Sequence, residues 1–278
     1  MQGPGGAKAE GRMPYVGMIY NPDPRRPDDP DDDGLADDAR NQGKGKSKGK
    51  GTSTGKSRNQ NQGIDQRRRP DGQVRYLAGL MGLPALGQAL RAQARQVGVA
   101  AADVIVALTD GAPCLAELFR TNFPLAILIL DFWHAAEHLA DFSKLLHPHD
   151  PAAAAAWFQE LRHALRHEGG LPVLGRLLNL DMQHHAEAAR EAHRLLLGYL
   201  DGNVYRMDYP AYRAKGWRIG SGPVEAACKS VVNARLCLVG MRWREPGADG
   251  LCHLRALYRS ELSQWADYWN PPVAAVAA

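Results

Sequence analysis

Two continuous apolar segments lie near the middle of the chain, and each ends in an aspartate. The first predicted strand spans residues 103–109 and is followed by Asp110, and the second spans residues 125–130 and is followed by Asp131. Apolar runs of this length, rich in β-branched side chains and without alternation, are typical of strands buried on both faces. The pattern therefore predicts two core strands whose ends both carry a carboxylate.

Weaker β-prone segments and helical segments surround these strands. Residues 13–21 and 74–80 are β-prone, whereas residues 83–97 carry apolar side chains at helical spacing and residues 115–119 form a shorter helical pattern. Strands that alternate with helices indicate an α/β protein with at least some parallel strand pairing.

From His134 onward the apolar spacing is helical. Asp150-Pro151 predicts a helix start, because Asp is a favoured N-cap and Pro is favoured at the first helical position, and Gly169-Gly170 predicts the end of that helix. Further amphipathic helices are predicted over residues 181–200 and 223–238. The chain is thus expected to be β-rich first and α-rich afterwards, with an all-helical insertion after the second core strand.

The charge of the chain is uneven, although its formal net charge is only +4. Residues 23–38 contain eight acidic side chains and two arginines, and residues 40–69 contain ten basic side chains and one acid. Residues 22–70 have almost no apolar side chains, so they cannot bury a core and are predicted to be disordered and dispensable for folding. The basic part favours either a polyanion partner or a solubilising linker.

Cysteine usage and hydropathy limit the cellular setting. The four cysteines have no paired spacing, which argues against a zinc knuckle or a disulfide framework. No signal peptide is visible, and no apolar run approaches the roughly 18 residues of a membrane span. We therefore expect no membrane association and a cytoplasmic protein with reduced thiols.

The segment from Gly216 to Lys229 is the most informative part of the sequence. A Gly-Ser-Gly-Pro turn opens a helix and places the Glu225 carboxylate in its first turn. Carboxylates at the ends of neighbouring strands, together with a helix-borne Glu, suit a site that holds divalent metal against phosphates. The helix continues into a basic stretch whose candidate phosphate contacts are Lys229, Arg235, Arg242 and Arg244.

Each of the three carboxylates also has a structural alternative. Asp110 and Asp131 can act as N-caps of the helices that follow them. Glu225 lies three positions after Gly222, where the Glu of a capping box reaches back to the helix entrance. The sequence leaves both interpretations open for each residue.

A metallopeptidase motif overlaps the second aspartate. The segment from His134 to His138 matches H-x-x-E-H, in which two histidines share a helical face and Glu137 is the general base. The motif is short, and it gives no role to Asp110 or to the Gly-Ser-Gly-Pro turn. A zinc peptidase is therefore the remote alternative.

Five motifs together carry a family resemblance. They are Asp110-Gly111-Ala112-Pro113, the segment from Leu130 to Leu139, Arg206-Met207-Asp208-Tyr209, the segment from Gly220 to Lys229, and Gly240-Met241-Arg242-Trp243. In this order and spacing they resemble the core of bacterial insertion-sequence transposases of the ISKra type, in the Mutator-like branch of DDE transposases. The resemblance covers roughly residues 73–269.

This resemblance implies an RNase H-like fold and DNA strand cleavage and transfer with Mg²⁺ or Mn²⁺. It identifies Asp110 and Glu225 as the second and third acids of the triad and as metal ligands. Asp131 and His134 then correspond to a D-x-x-H signature near the site, with a stabilising or DNA-binding role. DNA is the implied partner, with a homo-oligomer assembled on it.

One feature departs from the family: the first acid and its strand are not found upstream of residues 13–21. The chain is therefore expected to be the C-terminal part of a transposase, with little or no cleavage activity. A metal-dependent nuclease of similar fold and a non-catalytic DNA-binding remnant are the alternatives. The predicted organisation is a strand remnant (1–21), a linker (22–70), the RNase H-like core (71–142), a helical insertion (143–215), a catalytic helix with a basic region (216–270) and a tail (271–278).

Overall fold

A computed structural model of the chain describes residues 13–21 and 74–270. The predicted linker (22–70), the tail (271–278) and residues 1–12 lie outside the described residues, so the prediction of disorder is not addressed there. The fold is α/β, as the alternating pattern predicts. The four described strands are β1 (Tyr15–Tyr20), β2 (Val74–Gly79), β3 (Val106–Thr109) and β4 (Ile127–Leu130); helices separate β2 from β3 and β3 from β4, and only helices follow β4 in the described chain.

The described strands form two separate pairs, and the single mixed sheet of the sequence prediction is not found among them. Strands β1 and β2 are antiparallel, with Tyr15 opposite Gly79. Strands β3 and β4 are parallel, with Thr109 opposite Leu130. Both core strands are shorter than predicted, since β3 begins at Val106 and β4 at Ile127. Parallel pairing and the position of both aspartates after a strand are confirmed.

Helices make up most of the described chain. They are α1 (Leu83–Gln96), α2 (Pro113–Asn122), α3 (Phe132–Leu146), α4 (Pro151–Glu168), α5 (Gly170–Leu178), α6 (Glu187–Asn203), α7 (Tyr209–Ala214), α8 (Gly222–Ala227), a π-helical segment (Cys228–Asn233), α9 (Ala234–Leu236), α10 (Glu245–Arg259) and α11 (Leu262–Trp269). None of these helices has the length and apolar character needed to cross a bilayer.

The predicted start of α4 is confirmed, and the predicted start of the next long helix is wrong. The Asp150 carboxylate accepts hydrogen bonds from the backbone N–H groups of Ala152 and Ala153, as an N-cap does. The helix predicted from residue 181 begins only at Glu187. The Asp181 side chain instead accepts a hydrogen bond from Gln183 N in a local turn, which competes with helix formation.

The Gly169-Gly170 pair ends α4 but does not interrupt the helical region. Gly169 has φ +92°, a conformation that favours glycine, and α5 begins at the next residue. A Cβ on Gly170 would lie 2.7 Å from the Met207 Cβ, so this close approach also requires glycine. The predicted end of α4 at this pair is confirmed, but the start of α5 directly after it was not predicted. Helices α7, α10 and α11 were not predicted either.

The β1–β2 pair is covered by helices on both faces. Tyr15, Ile19 and Leu77 pack with an apolar cluster of α1 and α2 that includes Leu86, Leu90 and Leu118. On the other face, Ala78 packs with the π-helical segment and α10 through Val231, Val232, Cys252 and Ala256. Alternate residues of these strands thus contribute to different layers.

The largest core joins β4 to helices α3 to α7. Ile129 and Leu130 are completely buried in it, together with Leu139, Leu165 and Leu200. No strand occurs between Leu130 and Gly222, a stretch that is described throughout, so the predicted helical character of this region is confirmed. The insertion is packed directly against the β4 strand that ends at Asp131.

Candidate functional site

The two strand-end aspartates lie at the same edge of the parallel pair. Thr109 and Leu130 are opposite each other, and Asp131 N donates a hydrogen bond to the Thr109 carbonyl oxygen at 2.8 Å. Because Asp110 follows Thr109 directly, the backbones of Asp110 and Asp131 are neighbours across this edge. The carboxyl ends of parallel strands are frequent ligand sites in α/β proteins.

Asp110 is exposed and only partly engaged. Its Oδ1 accepts a hydrogen bond from Ala112 N at 2.9 Å, in a turn that leads into α2. The N-cap position of α2 is Ala112 and has no side-chain cap, so the alternative of Asp110 as N-cap is wrong in position. The second carboxylate oxygen of Asp110 has no hydrogen bond or ion pair among the described residues.

Asp131, by contrast, is buried and fully engaged. Its Oδ1 accepts hydrogen bonds from Trp133 N at 2.7 Å and from His134 N at 3.1 Å, which confirms the N-cap interpretation. Its Oδ2 accepts a hydrogen bond from Ser221 N at 2.9 Å, across 90 residues of sequence. The side chain is 3% exposed. Asp131 therefore fixes two helix entrances at once and leaves no free oxygen.

The Gly-Ser-Gly turn is docked on the end of β4 by backbone contacts. Phe132 N donates a hydrogen bond to the Ile219 carbonyl oxygen at 2.8 Å, two residues before the Ser221 contact. A Cβ on Gly220 would lie 2.9 Å from Cδ1 of the Trp133 indole. Glycine at this position therefore allows the turn to lie flat against the first turn of α3.

Glu225 lies one turn into α8 and is exposed. The N-cap of α8 is Ser221, so Glu225 is the fourth helical residue and not the third, which the capping-box interpretation requires. The Ser221 N–H is already bound to Asp131, and Glu225 Oε1 instead accepts from Ser221 Oγ at 3.3 Å. The capping-box prediction is therefore wrong, and the carboxylate is accessible.

His134 belongs to a small ring cluster on α3 and α6. The His138 ring lies 4.1 Å from the Tyr199 ring and 5.0 Å from the His134 ring, measured between centroids. Burial, followed by the neighbouring His134, lowers the pKa of His138. His134 Nδ1 lies 3.7 Å from a Glu137 oxygen on the exposed side. The two histidines share one face, as H-x-x-E-H predicts, but the third ligand of a zinc site is not found within the described ranges.

Tyr199 is a residue of this edge that sequence analysis missed. Its ring covers Gly111, where a Cβ would lie 2.2 Å from Cε2 of the ring. Its hydroxyl is buried and has no hydrogen-bond partner among the described residues. Burial raises the pKa of Tyr199 far above its ordinary value, with Asp110, Asp131 and Glu137 adding to the rise and Arg206 opposing it. Nothing in the local sequence of α6 distinguishes this tyrosine from an ordinary core residue.

Arg206 is buried next to the end of β3 and is hydrogen-bonded to it. It is 1% exposed, and its Nη1 donates to Thr109 Oγ1 at 2.8 Å while its Nε donates to Asn203 Oδ1 at 3.0 Å. No carboxylate is hydrogen-bonded to this guanidinium, so its hydrogen bonds within the described chain run to neutral groups. The bond to Thr109 fixes the residue before Asp110. Arg206 is the first residue of the Arg206-Met207-Asp208-Tyr209 motif, but its contact with Thr109 is seen only in the fold.

The four basic candidates are all exposed and lie on different segments of the chain. Lys229 lies in the π-helical segment and Arg235 in α9, whereas Arg242 and Arg244 lie in the irregular segment before α10. The chain has no acidic residue between Glu225 and Glu245. This stretch of the sequence therefore carries positive charge only.

The candidate ligands do not form a complete metal centre within the described residues. No group of three or more His, Cys, Asp or Glu side chains there is arranged to hold an ion. Asp110 and Glu225 are accessible, but two carboxylates are fewer than a two-metal site uses to fix its ions. We therefore derive no reaction step through a metal from this geometry.

Comparison with protein-family models, with curated proteins and with solved structures finds no match to this chain. The class of protein therefore rests on the motifs and on the geometry of the strand ends, and the transposase resemblance stays a prediction.

Proposed function

We propose that this chain is a DNA transposase polypeptide of the DDE type, built on an RNase H-like core. One observation carries the proposal: the Asp131 carboxylate binds the entrance of α8 to the end of β4. The helix that bears Glu225 therefore starts at the edge where Asp110 also lies. Carboxylates from a strand end and a later helix at one edge are what phosphodiester chemistry with divalent metal uses.

The architecture supports this class in two ways. An antiparallel pair, a parallel pair whose strands are each followed by Asp, and a long helical region before Glu225 follow one another along the chain, although the two pairs do not join into one sheet. In addition, the helix after the Gly-Ser-Gly turn leads into the acid-free basic stretch that ends at Arg244. Basic side chains that contact phosphates position DNA without reading its sequence, as a strand-transfer enzyme requires.

Within the proposal, Asp110 and Glu225 are the metal-binding carboxylates, and Mg²⁺ or Mn²⁺ is the cofactor. Asp131 has a structural role, because its oxygens are already engaged. DNA is the partner, a homo-oligomer on DNA is the assembly, and the cytoplasm is the compartment. A third ligand is not found in the described part of the chain, so we expect weak DNA binding and little cleavage by this polypeptide.

The test separates the candidate functions by their products. The full chain is incubated with labelled duplex DNA, with Mg²⁺ or Mn²⁺ and with a second target duplex. Salt-sensitive binding is expected with a low level of metal-dependent cleavage that is lost in Glu225→Gln, whereas binding without any metal-dependent cleavage supports the DNA-binding remnant. Joining of strands to the target supports a transposase, whereas cleavage without joining supports a nuclease.

Two outcomes would overturn the assignment. Absence of salt-dependent DNA binding would exclude both the transposase and the DNA-binding remnant. Zinc in the purified protein at one ion per chain, with peptide hydrolysis that His138→Gln abolishes, would instead establish the H-x-x-E-H peptidase.

A further inference from the structure

A tight turn after α9 presents apolar side chains to solvent. Met241 N donates a hydrogen bond to the Leu238 carbonyl oxygen at 3.1 Å, and Gly240, the third residue of this turn, has φ +82°. A turn with positive φ at its third position needs glycine there. Val239 occupies the tip with its side chain fully exposed, at 106%, and Leu238 is 52% exposed. The turn is thus closed by its own backbone while its apolar tip has no cover within the described chain.

Two larger side chains extend this surface. Met241 is 41% exposed and Trp243 is 45% exposed. The Trp243 ring lies against Gly247 in the first turn of α10, where a Cβ would be 3.8 Å from the ring. We name Leu238, Val239, Met241 and Trp243 the apolar turn. Contiguous exposed apolar side chains of this kind mark interaction surfaces more often than inert ones.

The positive charge around the apolar turn indicates the chemistry of its partner. Arg235 precedes it, Arg242 lies within it, and Arg244 follows it, with no acidic residue from 226 to 244. A second copy packed here about a two-fold axis would bring these arginines against their own copies, which repel one another. A polyanion with apolar surface between its charges fits both features, and duplex DNA is such a partner, since its bases lie between two phosphate backbones.

We propose that the apolar turn is a DNA wedge: Leu238 and Val239 press between adjacent base pairs while the flanking arginines hold the phosphates on either side. The inference rests on the proposed DNA-binding function and adds that the bound DNA is locally unstacked. Apolar wedges that unstack a base step and bend the duplex are used by many DNA-binding proteins. The half-exposed Trp243 ring offers a stacking surface for a displaced base.

The test uses the full chain and a duplex with 2-aminopurine at successive positions, because this base becomes fluorescent when it is unstacked. The wild-type chain should raise the fluorescence. The double variant Leu238→Ser, Val239→Ser should abolish the rise and weaken binding by about tenfold, with the slope of log affinity against log salt unchanged. Arg244→Gln should instead lower that slope by about 0.9. The matched control is Leu171→Ser, an exposed leucine on α5, which should change neither property.

The outcomes separate the wedge from DNA binding itself. A double variant that binds and unstacks DNA like the wild type overturns the wedge and leaves the proposed function standing. No salt-dependent DNA binding by the wild type overturns both. Preferred binding to duplex RNA, or loss of self-association in the double variant with unchanged DNA binding, assigns the apolar turn to RNA or to a second copy and also overturns the wedge.

Discussion

The ends of β3 and β4 carry the same sequence pattern and have different tasks. Both strands are short and apolar, and both finish in an aspartate at the same edge. Asp131 is buried and accepts three backbone hydrogen bonds, whereas Asp110 is exposed and accepts one. A carboxylate at a strand end is thus available for chemistry only where few backbone N–H groups are bound to it. Here a structural carboxylate stands beside a free one.

The largest expected effect is the loss of stability when the buried Asp131 carboxylate is removed. Asp131→Ala leaves three N–H groups without their acceptor, two of them on α3 and one on the Gly-Ser-Gly turn. We expect a loss of about 3 kcal/mol in the free energy of unfolding, measured with urea. The control is Asp150→Ala, which removes an exposed cap with two such bonds and should cost about 1 kcal/mol. Equal losses would mean that the Ser221 contact adds no stability.

A smaller loss of stability is expected when the buried arginine next to the end of β3 is replaced. Arg206→Met keeps the buried volume but leaves Thr109 Oγ1 and Asn203 Oδ1 without their donor. Unpaired buried polar groups should lower the free energy of unfolding by about 2 kcal/mol. Arg194→Met, at an exposed arginine of α6, should leave the unfolding curve unchanged. If Arg206→Met is neutral or stabilising, the free-energy cost of burying the guanidinium charge is larger than the stability that its hydrogen bonds contribute.

These contacts also mark the limit of what the sequence could predict. The strand positions, the Asp150 cap and the N-cap role of Asp131 follow from local patterns, and they were found. The Ser221 bond to Asp131 and the Arg206 bond to Thr109 join residues 90 and 97 positions apart, and no local pattern encodes them. The Gly169-Gly170 pair ends α4 as predicted, but α5 was not predicted, because the left-handed φ of Gly169 and the close contact of Gly170 with Met207 depend on the fold.

An intermediate effect should follow from the docking of the turn on α3. Gly220→Ala places a methyl group 2.9 Å from Trp133 Cδ1, so the indole or the turn must shift. We expect a loss of about 1 to 2 kcal/mol in thermal or urea unfolding. Gly222→Ala, two residues on, has open space around its Cβ and should be nearly neutral. If both variants behave alike, the turn is not held against Trp133 in solution.

The smallest stability effect is expected at the free carboxylate. Asp110→Asn keeps an oxygen for Ala112 N and lies on the surface, so the free energy of unfolding should stay within about 0.5 kcal/mol of the wild type. Asp110→Asn should instead weaken Mn²⁺ binding. Binding is measured by titration as the decrease in the electron paramagnetic resonance signal of the free ion. A destabilisation similar to that of Asp131→Ala would contradict the division of tasks between the two aspartates.

The most direct measurement of the central claim is the separation of the Asp110 and Glu225 carboxylates in a crystal grown with DNA and Mn²⁺. We expect both carboxylates to face one space at the strand edge, with an anomalous Mn²⁺ peak between them and with Asp131 still bound to Ser221 N. Asp110 and Glu225 on opposite faces, or a metal ligated by Asp131 in place of its bond to Ser221, would contradict it.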